Sequence, residues 1–415
     1  MPLSSVLFFG CPNAYGHINP TLGLIEELVR LGEQVYYYAT YQFEAAIKKT
    51  GAIFCPYRHF SAPHEVISET ESVMDPIDRL VYSRLLQIRK IHKYQQLLTY
   101  ELRSFAIDYI IYDESAAWGK AIAKDRQVPS ICSITKFAYH DALLHRYNKI
   151  FLQDILNFPE KICSSSDEKM SLISHLQKSL HVPLPWREEG HESLRSFFSS
   201  CSDLNIVYTS KKFQLMGDIF DKTYCFVGTT LTQQKRFIAR PSTGKTIIYI
   251  SLGTSSINID FIRRCIDAFA TSEWSVIITL GGQFESFNFD PLPANITIYN
   301  RVDQIRILSQ ASCFICHGGM NSVNEALSFA VPLIIVPQRG DQFLVAERVK
   351  ELGVGCTLQM KNVTPSQLLF ATQEALNNKT WKDNCLKIQH TLLSAGGARK
   401  GARTILEFVN ENKEL

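Results

Sequence analysis

No apolar run in this chain approaches the roughly 18–20 residues needed to span a bilayer, and no basic stretch precedes an apolar segment at its start. The opening Met1-Pro-Leu-Ser-Ser-Val-Leu-Phe-Phe-Gly10 reads as a buried strand, so the expectation is a cytoplasmic protein without a membrane span. Charge of one sign is also scarce: 43 Lys and Arg face 40 Asp and Glu, a net charge of +3. A nucleic-acid binder needs a broad cationic face, so that class is excluded, whereas a local phosphate pocket is not. A disulfide framework is missing too. The 11 cysteines are odd in number and irregular in spacing, and many sit in apolar runs, as buried thiols in a reducing compartment do. Cys313-Phe-Ile-Cys316-His317 has the C-x-x-C-H form of haem attachment, but it lies inside an apolar run and both cysteines read as inward strand residues. No G-x-G-x-x-G opens either half, since Gly10-Cys-Pro-Asn-Ala-Tyr-Gly16 does not fit it. Repeats at periods of about 20–50 residues are absent as well.

What is present is ordinary globular composition over 415 residues, too long for one core, so two domains are expected. Short apolar β-rich runs alternate with helical patterns, which is the mark of parallel α/β architecture. Strands are expected at 6–10, 34–39, 109–112, 130–134 and 204–209, and again at 246–252, 275–280, 296–299, 313–316 and 333–336. A helix is expected over 19–32, capped by Asn19, with Pro20 in its first turn and Gly32 at its end. A second helix runs from Asp75-Pro76 towards Phe105. Residues 137–200 read as helices and loops carried by the first domain, and the polar run from Thr232 to Lys245 as a linker. The domains are then 1–230 and 231–396. A terminal helix over 397–415, with Ala398, Ala402, Ile405, Leu406 and Val409 on one face, packs back on the first.

The most informative segment runs Phe314-Ile-Cys-His317-Gly318-Gly319-Met320-Asn321-Ser322-Val323-Asn324-Glu325. A strand ends, two glycines follow, and a helix opens with Asn and Ser in its first turn. Glycines let a ligand approach the backbone, and the N–H groups and dipole of a helix start favour an anion. His317, Asn321 and Ser322 add side-chain donors, and Glu325 stands one turn on, placed to accept bonds from sugar hydroxyls. Ser251-Leu-Gly253-Thr254 and Pro337-Gln-Arg-Gly-Asp341-Gln342 follow two further strands. Ligands of open parallel sheets bind at the carboxyl ends of strands, so these loops should converge on one crevice. Each alone is equally a simple turn; together they describe a nucleotide-sugar pocket. In the first half, His17 in Gly16-His17-Ile18-Asn19-Pro20 and Asp113 after residues 109–112 share the same sheet edge. A carboxylate beside an imidazole builds a general base. On the residues alone, a base and a structural histidine both stay open.

These motifs resemble the GT-B fold UDP-glycosyltransferases, within the macrolide glycosyltransferase-like group that glycosylates small molecules. The resemblance covers nearly the whole chain and is strongest from Asn300 to Gln342. The Gly16–Pro20 opening, Phe226-Val-Gly228 and the Asp113…Trp118-Gly119 spacing match as well. It implies two Rossmann-like domains whose parallel sheets face across a cleft, the first binding the acceptor and the second the donor. It implies His17 as the base and Asp113 as its partner. Arg301, Val302 and Gln304 would lie at the uridine and Glu325 at the ribose. The diphosphate would meet Thr254, His317, Asn321 and Ser322, with Gly253, Gly318 and Gly319 also in the donor site, and Asp341 and Gln342 would hold the sugar, glucose best. The reaction so implied inverts the anomeric centre and needs no metal and no cofactor, in a monomer or weak dimer. Two departures stand out. Arg301 replaces the tryptophan over the base, which leaves UDP and dTDP both open, and Asp303 replaces a proline, so that loop should sit differently. The rival readings are a nucleotide-sugar epimerase of the same fold and a non-catalytic nucleotide-sugar-binding partner protein. The acceptor pocket would form around residues 60–74 and 137–186, and the acceptor's identity is unreadable.

Overall fold

Two all-parallel sheets organise the chain, one in each of two units; the computed structural model describes residues 4–58, 76–158, 200–230, 244–253, 258–281, 289 and 291–413. The first unit comprises Met1–Thr209, Gln214–Thr230 and Gly396–Leu415, the second Ser210–Phe213 and Leu231–Ala395. The expected linker and acceptor-pocket segments fall largely outside the described residues.

In the first unit, β1 (Ser5–Phe9), β2 (Gln34–Ala39), β3 (Ile53–Pro56), β4 (Tyr109–Asp113), β5 (Ser130–Ile134), β6 (Leu204–Val207) and β7 (Tyr224–Phe226) line up as β3-β2-β1-β4-β5-β6-β7. Helices α1 (Tyr15–Arg30), α2 (Pro76–Glu101) and α3 (Trp118–Arg126) connect them. A parallel sheet covered on both faces demands continuous apolar strands rather than alternating ones. Val6, Leu7, Phe8 and Phe9 are accordingly all buried.

The second unit repeats the plan with β8 (Ile247–Ser251), β9 (Ser275–Thr279), β10 (Ile296–Tyr299), β11 (Cys313–Cys316), β12 (Leu333–Ile335) and β13 (Gly355–Thr357), ordered β10-β9-β8-β11-β12-β13. Its helices are α4 (Ile259–Phe269), α5 (Gln304–Leu308), α6 (Met320–Leu327), α7 (Gln342–Glu351), α8 (Pro365–Asn377) and α9 (Lys379–Ser394). Cys313 and Cys316 are fully buried in β11, and burial pushes the Cys316 thiol up to about 12. That is the environment of an inert structural thiol, not of a haem attachment point.

Four differences from the sequence reading have physical causes. Helix α1 begins at Tyr15, not Asn19, so Asn19 is an exposed residue inside it and Pro20 lies within the helix. Tyr15, packed edge-on to Phe43 at 4.8 Å, and buried Ile18 extend the apolar stripe of Leu22 and Ile25 backwards at helical spacing. His17 therefore stands in the first turn of the helix rather than ahead of it. Edge strands β3 and β13 escaped notice because neither is a fully buried apolar run; β3 is exposed or half-buried throughout and ends in Pro56. In β13, Gly355 also breaks the apolar pattern: a Cβ there would collide with the Leu333 carbonyl of the neighbouring strand. Ser210–Phe213 join the second unit, since Arg348 donates to the carbonyls of Lys212 (2.7 Å) and Phe213 (3.1 Å), and Ser210 Oγ meets Thr391 Oγ1 at 3.0 Å.

The last helix, α10 (Gly397–Lys413), returns to the first unit and packs on α1 and β6. Ala402, Ile405 and Val409 enter the core that holds Leu24, Leu28 and Val227. At Gly401 the approach is close: a Cβ would lie 3.1 Å from Leu24 and 3.3 Å from Val227. No helix of the described residues is long and apolar enough to cross a membrane.

Ile405 is fully buried, so Ile405→Ala should cost about 2–5 kcal/mol through lost transfer energy and the cavity left behind. Exposed Glu407→Ala should stay within about 0.5 kcal/mol of the parent. Urea unfolding of both variants checks the difference, and equal midpoints would refute the packing of α10.

Candidate active site

In both sheets the strand order reverses once, between β1 and β4 in the first and between β8 and β11 in the second. Chains leave such neighbouring strands in opposite directions, and a crevice opens beyond their carboxyl ends. Phe9 pairs with Tyr112 and Ser251 with Cys316, so the residues just after these positions are brought level.

In the first unit those residues are His17, in the opening turn of α1, and Asp113, the last residue of β4. His17 Nδ1 lies 2.9 Å from Asp113 Oδ2 and 3.1 Å from Oδ1. The Asp113 side chain is 1% exposed, while that of His17 is 27% exposed and reachable. Asp113 Oδ1 also accepts from the Ser115 amide (2.9 Å) and hydroxyl (2.5 Å), and Thr135 Oγ1 stands 3.0 Å from His17 Nδ1. With Nδ1–H directed at the carboxylate, Nε2 is the nitrogen left to accept a proton. Burial alone would lower the His17 pKa, but the charge and hydrogen bond of Asp113 outweigh it, and imidazole is raised to about 10. Asp113 is held below the usual carboxylate range: burial works against this, and the His17 charge and the Ser115 bonds prevail. Cys11, in the turn after β1, brings its sulfur within 4.8 Å of ligand atoms of both residues. Ser115, Thr135 and Cys11 were not singled out from sequence. Thr135 could have been, since it directly follows β5, the next strand at the same edge.

In the second unit, His317 follows β11 and its ring fills the space that two glycines leave open. A Cβ at Gly253 would sit 2.9 Å from His317 Cε1, and one at Gly319 would sit 2.5 Å from Nε2. Gly318, at φ +87°, would place a Cβ 2.7 Å from Ile335. Burial lowers the His317 pKa, although Asp341 pulls the other way, so the ring is neutral near pH 7. Its Nδ1 is buried without a hydrogen-bond partner among the described residues. Helix α6 opens immediately afterwards. Gln304 Nε2 donates to Ser322 Oγ (3.1 Å) and Glu325 Oε2 (2.6 Å), and Asn321 Nδ2 donates to Glu325 Oε1 (2.9 Å). Tyr249, a buried β8 residue that sequence reasoning missed, donates its hydroxyl to Gln304 Oε1 at 3.3 Å. Gln304, Asn321, Ser322 and Glu325 are thus one network at the start of a helix.

The remaining expected residues are placed less tightly. Asp303 caps α5, its carboxylate accepting from the Arg306 amide at 3.3 Å, which supplies a reason for the acid at that position. Arg301 is exposed and Val302 half-buried just ahead of it. Asp341 is half-buried at the start of α7, and Gln342 Oε1 accepts from the amides of Gln338 (2.9 Å) and Arg339 (3.2 Å), which folds the loop after β12. Thr254 lies outside the described residues. Chemically, the second unit offers backbone and side-chain donors at a helix dipole, suited to phosphates, with a carboxylate beside them for hydroxyls.

Comparison with known proteins bears on the family and the fold. Residues 263–404 match the family model of the Erythromycin biosynthesis protein CIII-like, C-terminal domain. The chain is 32% identical to the NDP-glycosyltransferase YjiC of Bacillus subtilis (strain 168) over 96% of each chain. With the uncharacterized UDP-glucosyltransferase YojK of the same organism it shares 28% identity over 99% of each. The crystal structure of CalG4, the calicheamicin glycosyltransferase, superposes with a TM-score of 0.77 over 99% of each chain at 24% identity.

Because Gly318 holds a left-handed φ against Ile335, Gly318→Ala should destabilise the second unit by roughly 1–2 kcal/mol from backbone strain alone, with the steric displacement added. Chemical denaturation measures this, and an unchanged midpoint would contradict the geometry around His317.

Proposed function

Since the chain belongs to the GT-B fold glycosyltransferases, in their macrolide glycosyltransferase-like group, we propose that it transfers a hexose, glucose by preference, from a UDP-sugar to a hydroxyl of a small-molecule acceptor. The acceptor class is that of polyketides, macrolides, flavonoids and other secondary metabolites. The observation that carries the mechanism is the hydrogen-bonded pair of His17 and Asp113 at a strand-order reversal.

An alcohol is a poor nucleophile until it loses its proton. In this reading His17 Nε2 takes the proton as the acceptor oxygen attacks the anomeric carbon, and Asp113 holds the tautomer and stabilises the imidazolium that forms. The oxygen enters on the face opposite the departing UDP, so one displacement inverts the anomeric centre. Charge developing on the diphosphate is taken up by the α6 helix start and by the Asn321, Ser322 and His317 donors, and the step needs no metal. Glu325 with Gln304 would receive the ribose hydroxyls, Arg301 and Val302 the base, and Asp341 and Gln342 the sugar.

His17→Ala should lower kcat by about 10²–10⁴-fold while UDP affinity by calorimetry stays near the parent's. Product mass spectrometry and the anomeric coupling constant, with UDP-glucose and a panel of phenols and alcohols, check transfer and inversion. UDP-glucose turned over without acceptor, or bound without any turnover, would favour an epimerase or a non-catalytic binder instead.

The raised His17 pKa has a sign that can be tested. The base form is neutral, so kcat/KM should climb with pH, with its limb above the ordinary imidazole value of about 6.5. Asp113→Asn removes the charge that holds the proton, and the limb should move to lower pH. A limb that stays in place in Asp113→Asn would refute the coupling.

A further inference from the structure

We infer that Cys11, His17 and Asp113 together form a binding site for a zinc-class divalent metal ion, and that a metal held there inhibits the enzyme by occupying its base. The inhibitory half rests on His17 acting as that base; the metal site itself does not.

The three residues offer a sulfur, a ring nitrogen and a carboxylate oxygen, all within 4.8 Å of one another, and they are the one such group among the described residues. Thiolate, imidazole and carboxylate are the donors that borderline-soft zinc takes, at about 2.3, 2.0–2.1 and 2.0–2.2 Å. Tetrahedral bonds of those lengths put neighbouring ligand atoms about 3.3–3.7 Å apart, so small side-chain rotations close the trio on one ion. The donors come from the turn after β1, the first turn of α1 and the end of β4, three points fixed by the sheet. On binding, the Cys11 thiol and, where it is protonated, the His17 ring each lose a proton to solvent, and thiolate plus carboxylate neutralise a divalent charge. The Ser115 amide and hydroxyl already orient Asp113, and the Thr135 hydroxyl lies beside the imidazole, as supporting groups do in metal sites. Cys11 and His17 are both partly exposed, which gives an ion a way in. Three protein ligands leave a fourth position to water. Hydrogen bonds alone hold the base in the metal-free enzyme, so an ion that takes its place removes the base from the reaction.

The test uses the full chain, stripped with a chelator and titrated with cobalt(II) without substrates. A four-coordinate site with a thiolate should give intense visible bands together with a near-ultraviolet sulfur-to-cobalt band. In Cys11→Ala the sulfur band should vanish and affinity should fall by roughly 10- to 100-fold or more, with thermal melting confirming that the variant is folded. In turnover assays, zinc should inhibit the parent reversibly with EDTA. The half-inhibitory zinc concentration should rise by a similar factor in Cys11→Ala, each protein being compared with its own metal-free rate. Weak six-coordinate spectra without a sulfur band, or equal zinc sensitivity in parent and variant, would overturn the site. Tight cobalt binding by the trio with turnover untouched would uphold the site and overturn both its inhibitory role and His17 as base.

Discussion

A parallel sheet buried on both faces leaves little room for polar side chains along its strands, and that constraint governs where this protein keeps its chemistry. Backbone hydrogen bonds satisfy the strands internally, so ionisable and hydrogen-bonding side chains concentrate where strands end. Val6 to Phe9 and Cys313 to Cys316 are buried without exception, and the polar groups begin within a few residues of each run. Where the strand order reverses, two such ends lie side by side with their connections departing in opposite directions. His17 and Asp113 meet at one reversal, and Gly253 and His317 at the other.

The two reversals carry opposite electrostatics. In the first unit a buried carboxylate is kept ionised and raises the proton affinity of the imidazole beside it. In the second, burial lowers the His317 pKa, and a neutral ring packs against glycine backbone next to a helix start. The same residue type therefore has a raised proton affinity in one sheet and a lowered one in the other. The difference lies in whether a carboxylate is bonded to the ring or merely stands nearby.

Glycine placement separates these sites as clearly as charge does. The His317 ring occupies volume that any side chain at 253 or 319 would claim, and Gly318 takes a backbone conformation that other residues adopt only with strain. Among the described residues no comparable glycine cluster surrounds His17. Its position is set instead by Tyr15 and Ile18, which anchor the start of α1 in the apolar core.

Much of this was legible in the residues. Apolar runs located most strands, the stripe of Ala402, Ile405 and Val409 marked the last helix, and the string around His317 marked a strand, a glycine turn and a helix start. Those signals are local, and each follows from periodicity, from φ preferences or from the dipole of a helix start. Other features depended on contacts between residues far apart in the chain. The bond from Tyr249 to Gln304, the Thr135 hydroxyl and the Cys11 sulfur beside His17, and the placement of Ser210–Phe213 with the second unit all arise this way. Local sequence limits which side chains can stand at a strand end. Which ends become neighbours is decided by strand order, a property of the packed sheet that no short segment encodes.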